Sequence, residues 1–408
     1  MERSKLLSKL ACLITAMVMT VAPLSSQEKS DNLAASGFRY LVQNQRMVEA
    51  NQVLAAMPLE FLHRQDIRES MVMLFISRGD FDLALRHAGD LAVSDPVAGN
   101  WMLAQIHARL GNIDDALFFL ARHLEQPGHY PEREIKLDDA FSGFDRNRQW
   151  VALWQREWYS AWEQDLAEAL YLFEKGETDG AAEIVERLTN EHPDKAEIWL
   201  QHAVFYYKSG DRRLARAGAD RALSAGSGNL RLLNELTGLL IRNQEYDRAL
   251  KAIDLLSQLD PGCPEGLINR SLVYLFSGNS EKAKEGIEAL GSVGVVASGL
   301  WFEAARSLAD SEPENALGYI NRVIGDGEFN EACYNTRAAI LLKLNRYAEA
   351  VSDLTMSLDI DARQADVWFD RAEIRMKQGD SEGACSDWNR ALRLKHRKAA
   401  DRISQHCR

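Results

Sequence analysis

Ten alanines, Ala50, Ala84, Ala116, Ala181, Ala215, Ala249, Ala283, Ala316, Ala350 and Ala384, follow one another at separations of 34, 32, 65, 34, 34, 34, 33, 34 and 34 residues. The separation of 65 is two steps, and the position where the missing alanine belongs is Trp150. A fixed period of this length marks stacked supersecondary units, each too small to bury its apolar face alone. It displaces the two or three globular domains that 408 residues would suggest at ~150 residues per domain.

The surroundings of each alanine repeat as well. Five residues before it stands Gly79, Gly111, Gly176, Gly210, Gly278 or Gly379, with Asn345 in a seventh copy. Gly or Asn suits the left-handed residue that ends one helix before the next begins. Apolar residues follow at helical spacing, as in Ile253 and Leu256 or Ile287 and Leu290. Twelve residues before the alanine there is often a small one: Ala169, Ala203, Ser271, Ala338 or Ala372. Sixteen before it, Trp199, Tyr334 and Trp368 are the clearest large residues. Pro96, Pro193 and Pro261 fall twelve residues after, where a second helix should stop. Two antiparallel helices fit this pattern, crossing where only a small side chain has room. Scarcity of Pro (9 residues) and 46% hydrophobic content agree with a mostly helical chain and exclude disorder as its dominant state.

This constellation resembles the tetratricopeptide repeat, whose helical pairs recur every ~34 residues. The resemblance is clearest from Ala196 to Gln364 and on through Lys398, and weaker over residues 31–64, 65–97 and 98–130. It implies an all-α, right-handed α-solenoid of stacked helix–turn–helix repeats. The expected organisation is an N-terminal lobe of about three repeats (27–130), an irregular joint (131–161), an array of about seven repeats (162–398) and a capping helix (399–408). Ala88, Ala219 and His123 depart from the pattern. In arrays of this family the first helix of each pair lines a concave surface where partners bind. Mapped through the alanines, that surface holds Leu166, Leu170 and Phe173; Leu200, Val204 and Tyr207; Ile268, Leu272 and Phe276; with Trp301 and Phe369 further along. The row fits a groove for a hydrophobic segment, or equally side chains packed between repeats. No Lys or Asn occupies the positions with which some relatives clamp a C-terminal carboxylate.

At the break, Trp150, Trp154, Trp158 and Trp162 stand at steps of four and are expected on one helical stripe. A buried stripe would weld the lobe to the array, whereas an exposed one would be an aromatic platform for sugar or peptide. Four exposed rings would exceed the few hundred Å² of apolar patch usual on a monomer, which favours burial. Pro127, Gly128, Pro131 and Gly143 gather just before it, where a bend is expected.

Arg3, Lys5 and Lys9 precede an apolar run from Leu10 to Ala22 and then Pro23, Leu24, Ser25 and Ser26. Residues 1–26 read as a secretory signal peptide cleaved before Gln27; the run is too short to span a bilayer, and Cys12 lies too early in it for lipid attachment. The remaining chain carries about -14, which disfavours nucleic acid. Arg390, Arg393, Lys395, Arg397, Lys398, Arg402 and Arg408 form a basic end, read here as a solvated face, so any membrane association is peripheral. Oxidising conditions raise the question of disulfides. Cys263 and Cys333 lie two repeats apart, too far to bridge, whereas Cys385 and Cys407 sit on packed helices and are expected to pair. No His, Cys or Asp spacing matches a metal site, no Gly-rich loop cradles phosphate, and no Ser or Cys stands at a nucleophile elbow. The expectation is therefore a scaffold of exported bacterial type, without enzyme activity, cofactor or small-molecule substrate. It would bind a protein or peptide in the periplasm or cell envelope, for assembly, secretion or surface organisation. The alternative is a glycan- or cell-wall-binding module using Trp150 to Trp162.

Overall fold

The computed structural model describes residues 26–295, 297–327 and 330–407, with side chains described from residue 31. Residues 1–25 of the expected signal peptide lie outside the described residues. Among the described residues there are 23 α-helices and no strand. Twenty of them form ten antiparallel pairs. Pair 1 is Ser26–Gln43 with Met47–Ala56, pair 2 Gln65–Arg78 with Phe81–Ser94, and pair 3 Pro96–Arg109 with Ile113–Leu124. After an interruption come pair 4, Ala161–Glu174 with Thr178–Glu191, pair 5, Ala196–Ser209 with Arg212–Ala225, and pair 6, Leu230–Arg242 with Tyr246–Leu259. Pair 7 is Pro264–Phe276 with Ser280–Ser292, and pair 8 is Ser298–Leu308 with Pro313–Gly325. Pair 9 is Glu331–Lys343 with Tyr347–Ile360, pair 10 is Ala365–Lys377 with Ser381–Arg393, and a last helix, Ala399–His406, packs on pair 10.

Every ladder alanine is the fourth residue of the second helix of its pair, and all ten have 0% of their surface exposed. Each donates its backbone N–H to the carbonyl of the residue just before that helix, as Ala249 does to Glu245 at 2.9 Å and Ala384 to Asp380 at 3.0 Å. The small residues twelve positions earlier, Ala169, Ala203, Ser271, Ala338 and Ala372, are likewise buried, at 0–2% exposure. The helices come so close here that larger side chains do not fit. A Cβ on Gly286 would lie 2.3 Å from Ser271 Oγ, and one on Gly218 would lie 3.0 Å from the Ala203 backbone nitrogen. In nine pairs the turn between helices passes through a left-handed residue: six glycines, Asn345, and also Gln45 and Gln244 at φ 57° and 61°. Side chains are strained in that region, so these two glutamines hold a conformation the sequence pattern does not announce.

Between pairs 3 and 4 the period fails. Residues 132–153 make two six-residue helices, Glu132–Leu137 and Arg148–Leu153, and two single 3₁₀ turns, Asp139–Phe141 and Phe144–Arg146. Trp150 fills the place of the missing alanine and is 3% exposed. Its ring packs on Phe141, Phe144 and Trp154 at centroid distances of 5.6, 5.6 and 5.5 Å. The expected helical stripe of four tryptophans does not form. The helix ends at Leu153, Trp154 caps it, and residues 155–160 are not helical, so Trp158 and Trp162 belong to a loop and to pair 4. Trp158 instead turns back and donates Nε1–H to the Leu153 carbonyl at 2.8 Å. The aromatic cluster around Trp150 fills the interrupted stretch, and regular pairs resume at Ala161.

The stack also returns on itself. The first helix, Ser26–Gln43, packs against both helices of pair 7, some 230 residues away in sequence. Tyr40 joins the apolar core formed by pairs 7 to 10.

The alanine crossing makes a quantitative expectation. Overfilling a close-packed site costs about 1–3 kcal/mol, so Ala249→Leu should lower the urea-unfolding free energy by about 2–3 kcal/mol. Ala167→Leu, at an exposed position of pair 4, should change it by less than about 0.5 kcal/mol. Equal effects at both sites would contradict the crossing account.

Candidate partner-binding surface

The eleven residues proposed for the concave row divide by burial. Leu166, Leu200, Trp301 and Phe369, each fifteen residues before a ladder alanine, are 1–9% exposed and belong to the core between repeats. Trp301 lies beneath Tyr319 at 5.4 Å and the Arg322 guanidinium at 4.5 Å. Phe369 is covered by His396 of the C-terminal segment, stacked at 4.1 Å. These four do not offer a partner their rings or methyls: a first-helix residue at that register points between neighbouring pairs. Leu170, Phe173, Val204, Tyr207, Ile268 and Leu272 are half-buried, and Phe276 is 38% exposed. Phe173 rests on Phe205 at 4.3 Å with the Lys208 ammonium 4.4 Å above its ring. Phe276 stacks beside Tyr246 at 6.3 Å. The remaining row runs over pairs 4, 5 and 7.

None of the four tryptophans at the joint is an exposed ring: Trp150 is buried and Trp154, Trp158 and Trp162 are half-buried. The Lys136 ammonium lies 4.8 Å over Trp154, and Lys195 5.5 Å over Trp162. An open four-ring platform is absent from the described residues.

The joint is organised around His123, which is fully buried. Its Nδ1 lies 3.0 Å from the Val97 carbonyl and its Nε2 2.9 Å from the Tyr130 backbone nitrogen. Tyr130 can only donate there, so Nε2 is the acceptor and the proton sits on Nδ1. Both ring nitrogens are thus used by a neutral imidazole. Burial pushes the His123 pKa down to about 4, partly offset by the hydrogen bond to Val97. Tyr130 packs on Trp101 at 5.1 Å, and its ring carries the Arg231 guanidinium of pair 6 at 5.4 Å. Arg231 also pairs with Glu134, and Arg133 with Glu174 at 2.8 Å. Residues 130–134 therefore tie the N-terminal lobe to the first helices of pairs 4 and 6. Beside them, burial pushes the Glu69 carboxyl up to about 7; Arg39 opposes that rise and Asp95, Asp260 and Asp66 add to it.

A polar staple between repeats had no place in the sequence expectation. Arg371 is held by Asp387 through two 2.8 Å bonds and reaches Thr355 of the preceding pair at 2.9 Å. One period earlier Arg337 meets Asp353 through two 2.7 Å bonds and Asn321 at 3.1 Å. Arg and Asp sixteen residues apart, repeated at a step of 34, are the signal that would have found it. Asp387 and Arg371 are 2% and 7% exposed, so the pair positions consecutive second helices and is closed to a partner. The cysteine expectation concerns the same end: Cys385 and Cys407 are bonded, with Cα atoms 5.6 Å apart, joining pair 10 to the last helix. Cys263 and Cys333 are free and buried. Among the described residues no three His, Cys, Asp or Glu side chains converge on a metal site.

A stack of helix–turn–helix pairs with a small residue at each crossing defines a helical-repeat solenoid. The tetratricopeptide-repeat profile matches residues 71–131 and 166–229, which take in most of pairs 2 to 5, so these stretches are tetratricopeptide repeats. A curated relative, the DnaJ homolog subfamily C member 7 homolog of Dictyostelium discoideum, is 38% identical over 65 residues, which is 16% of this chain and 12% of the relative. The chain thus matches about one-eighth of that relative's length. Among solved structures, a tetratricopeptide-repeat protein from Parabacteroides merdae is 18% identical with a TM-score of 0.43, covering 60% of this chain and 99% of its own. The C-terminal part of a repeat-containing protein from Cytophaga hutchinsonii is 16% identical with a TM-score of 0.46, covering 58% and 98%.

The neutral state of His123 sets a pH dependence. Unfolded, the ring takes up a proton near pH 6.5; folded, only near pH 4. Its contribution is therefore present above about pH 6.5 and lost as pH falls towards 4. The stability advantage of wild type over His123→Gln should shrink by about 3 kcal/mol between pH 7 and pH 4. A difference that stays constant with pH would show that the imidazole is not held neutral.

Proposed function

We propose that this protein is a non-enzymatic scaffold of the cell envelope that holds a hydrophobic or amphipathic protein segment along pairs 4, 5 and 7. The observation that carries the reading is the row Leu170, Phe173, Val204, Tyr207, Ile268, Leu272 and Phe276. It is apolar, half-buried to exposed, and presented by the first helices of a rigid stack. Tetratricopeptide solenoids are commonly protein-interaction modules, and a helix-in-groove contact draws its affinity from a few such anchors. Export is supported by the basic-then-apolar composition of residues 1–26 and by the Cys385–Cys407 bond, a linkage that persists in oxidising compartments. Among the described residues no helix is long and apolar enough to cross a membrane.

Photocrosslinking amino acids placed at Val204 and Leu272 in the native host should capture one and the same protein. The Leu170→Ser/Tyr207→Ser/Phe276→Ser variant should lose that product at least tenfold while keeping its helical circular dichroism. Retained crosslinking in the triple variant would refute the groove.

A further inference from the structure

In a solenoid the outer face of the first repeat has no neighbour to pack on and is ordinarily polar. Here that face is covered. Ala35 and Ser36 of the first helix are 0% exposed. Ser36 donates its hydroxyl to the Gly262 carbonyl at 2.8 Å, in the loop between pairs 6 and 7. Gly37 faces the loop between pairs 7 and 8 so closely that a Cβ would lie 2.4 Å from the Val293 carbonyl oxygen. Glycine inside a helix weakens it, and this close approach is the physical reason for it at position 37. On the other side a Cβ on Gly262 would lie 3.4 Å from the Ala35 methyl and 3.0 Å from the Arg64 guanidinium.

Charge surrounds this small-residue contact. Arg39 is gripped by Asp260 at 2.7 Å and Asp66 at 3.3 Å, with side chains only 10–18% exposed. Arg64 holds the same Asp66 at 2.8 Å, and Arg46 reaches Asp326, beyond pair 8, at 3.1 Å. The first helix thus meets the loops that bracket pairs 7 and 8. Its fit is specific: small residues where backbones touch, and a basic flank against Asp260 and Asp326. Apart from Tyr40, which packs on the core of pairs 7 to 10, the seam is made by small residues, a hydroxyl and ion pairs, and contacts of that polar kind within one chain resemble transient interfaces.

We propose that pair 1 is a clasp: its first helix closes the solenoid into a ring by docking on the loops around pair 7, through the Ser36–Gly37 contact and the Arg39–Asp260 ion pair, and releases it reversibly. Closure commits Arg39 to Asp260, and opening frees Asp260 while Arg39 keeps Asp66, which Arg64 also holds. The clasp does not depend on the groove assignment, and its test needs no partner.

The test is hydrogen–deuterium exchange on the full chain, read in the receiving loops at residues 260–264 and 293–295. Gly37→Ala, which favours the helix itself while obstructing its docking, should speed exchange there at least tenfold and leave pairs 3 to 5 unchanged. Arg39→Glu should do the same, and adding Asp260→Arg should return exchange towards the wild-type rate. Exchange within twofold of wild type in both Gly37→Ala and Arg39→Glu would overturn the clasp. A charge swap that opens the loops further would overturn the ionic latch.

Discussion

The whole molecule depends on how near two helices can come at one crossing. Ten times, a methyl group stands at the fourth residue of a second helix with none of its surface exposed, and in five pairs the residue twelve positions earlier on the first helix is Ala169, Ala203, Ser271, Ala338 or Ala372, itself buried. That distance sets the angle within a pair, and the angle sets where the next pair can lie. A protein interior is packed to crystal-like density, so such a spacing has little slack. Each pair buries its apolar face only because its neighbour does the same, and stability is shared along the row rather than gathered in one centre.

Where the methyl is replaced, the regular pairs are interrupted. Trp150 at the crossing carries an indole where a methyl belongs, and an aromatic cluster with Phe141, Phe144 and Trp154 fills the space that opens. His123 and Tyr130 then use backbone hydrogen bonds to fix a stretch that has no regular helix to satisfy it. The interrupted stretch also makes contacts distant in sequence. Residues 130–134 lie against pairs 4 and 6, and the first helix meets pair 7. The half-buried row on pairs 4, 5 and 7 is presented by that frame.

The period made the pairs legible. Alanine, glycine and proline at fixed offsets report steric limits acting within about twenty residues, and those limits hold whatever the distant chain does. Burial along the first helices was legible only in part. Leu166 and Leu170 are one helical turn apart and alike in chemistry, yet one is core and the other is half-exposed. The difference lies in the rotation of each pair against the next, which residue type does not encode. The tryptophans failed for a related reason: steps of four suggest a helix, but Trp150 is taken into an aromatic cluster and the helix stops at Leu153. Gln45 and Gln244 in left-handed turns show the tertiary stack overriding a local preference for glycine. The seam was beyond sequence reading altogether, because Gly37 and Val293 are brought together by the accumulated geometry of every pair between them.

Site-resolved hydrogen exchange of the ladder amides tests the central claim most directly. Each of the ten alanine N–H groups donates to the carbonyl before its helix and lies at the buried crossing. They should be among the slowest amides of their pairs, while residues 142–147 in the interrupted stretch exchange faster. Ladder amides that exchange as fast as those on the outer faces of the same helices would show that the crossings open freely. The alanine contact would then not be what holds the stack.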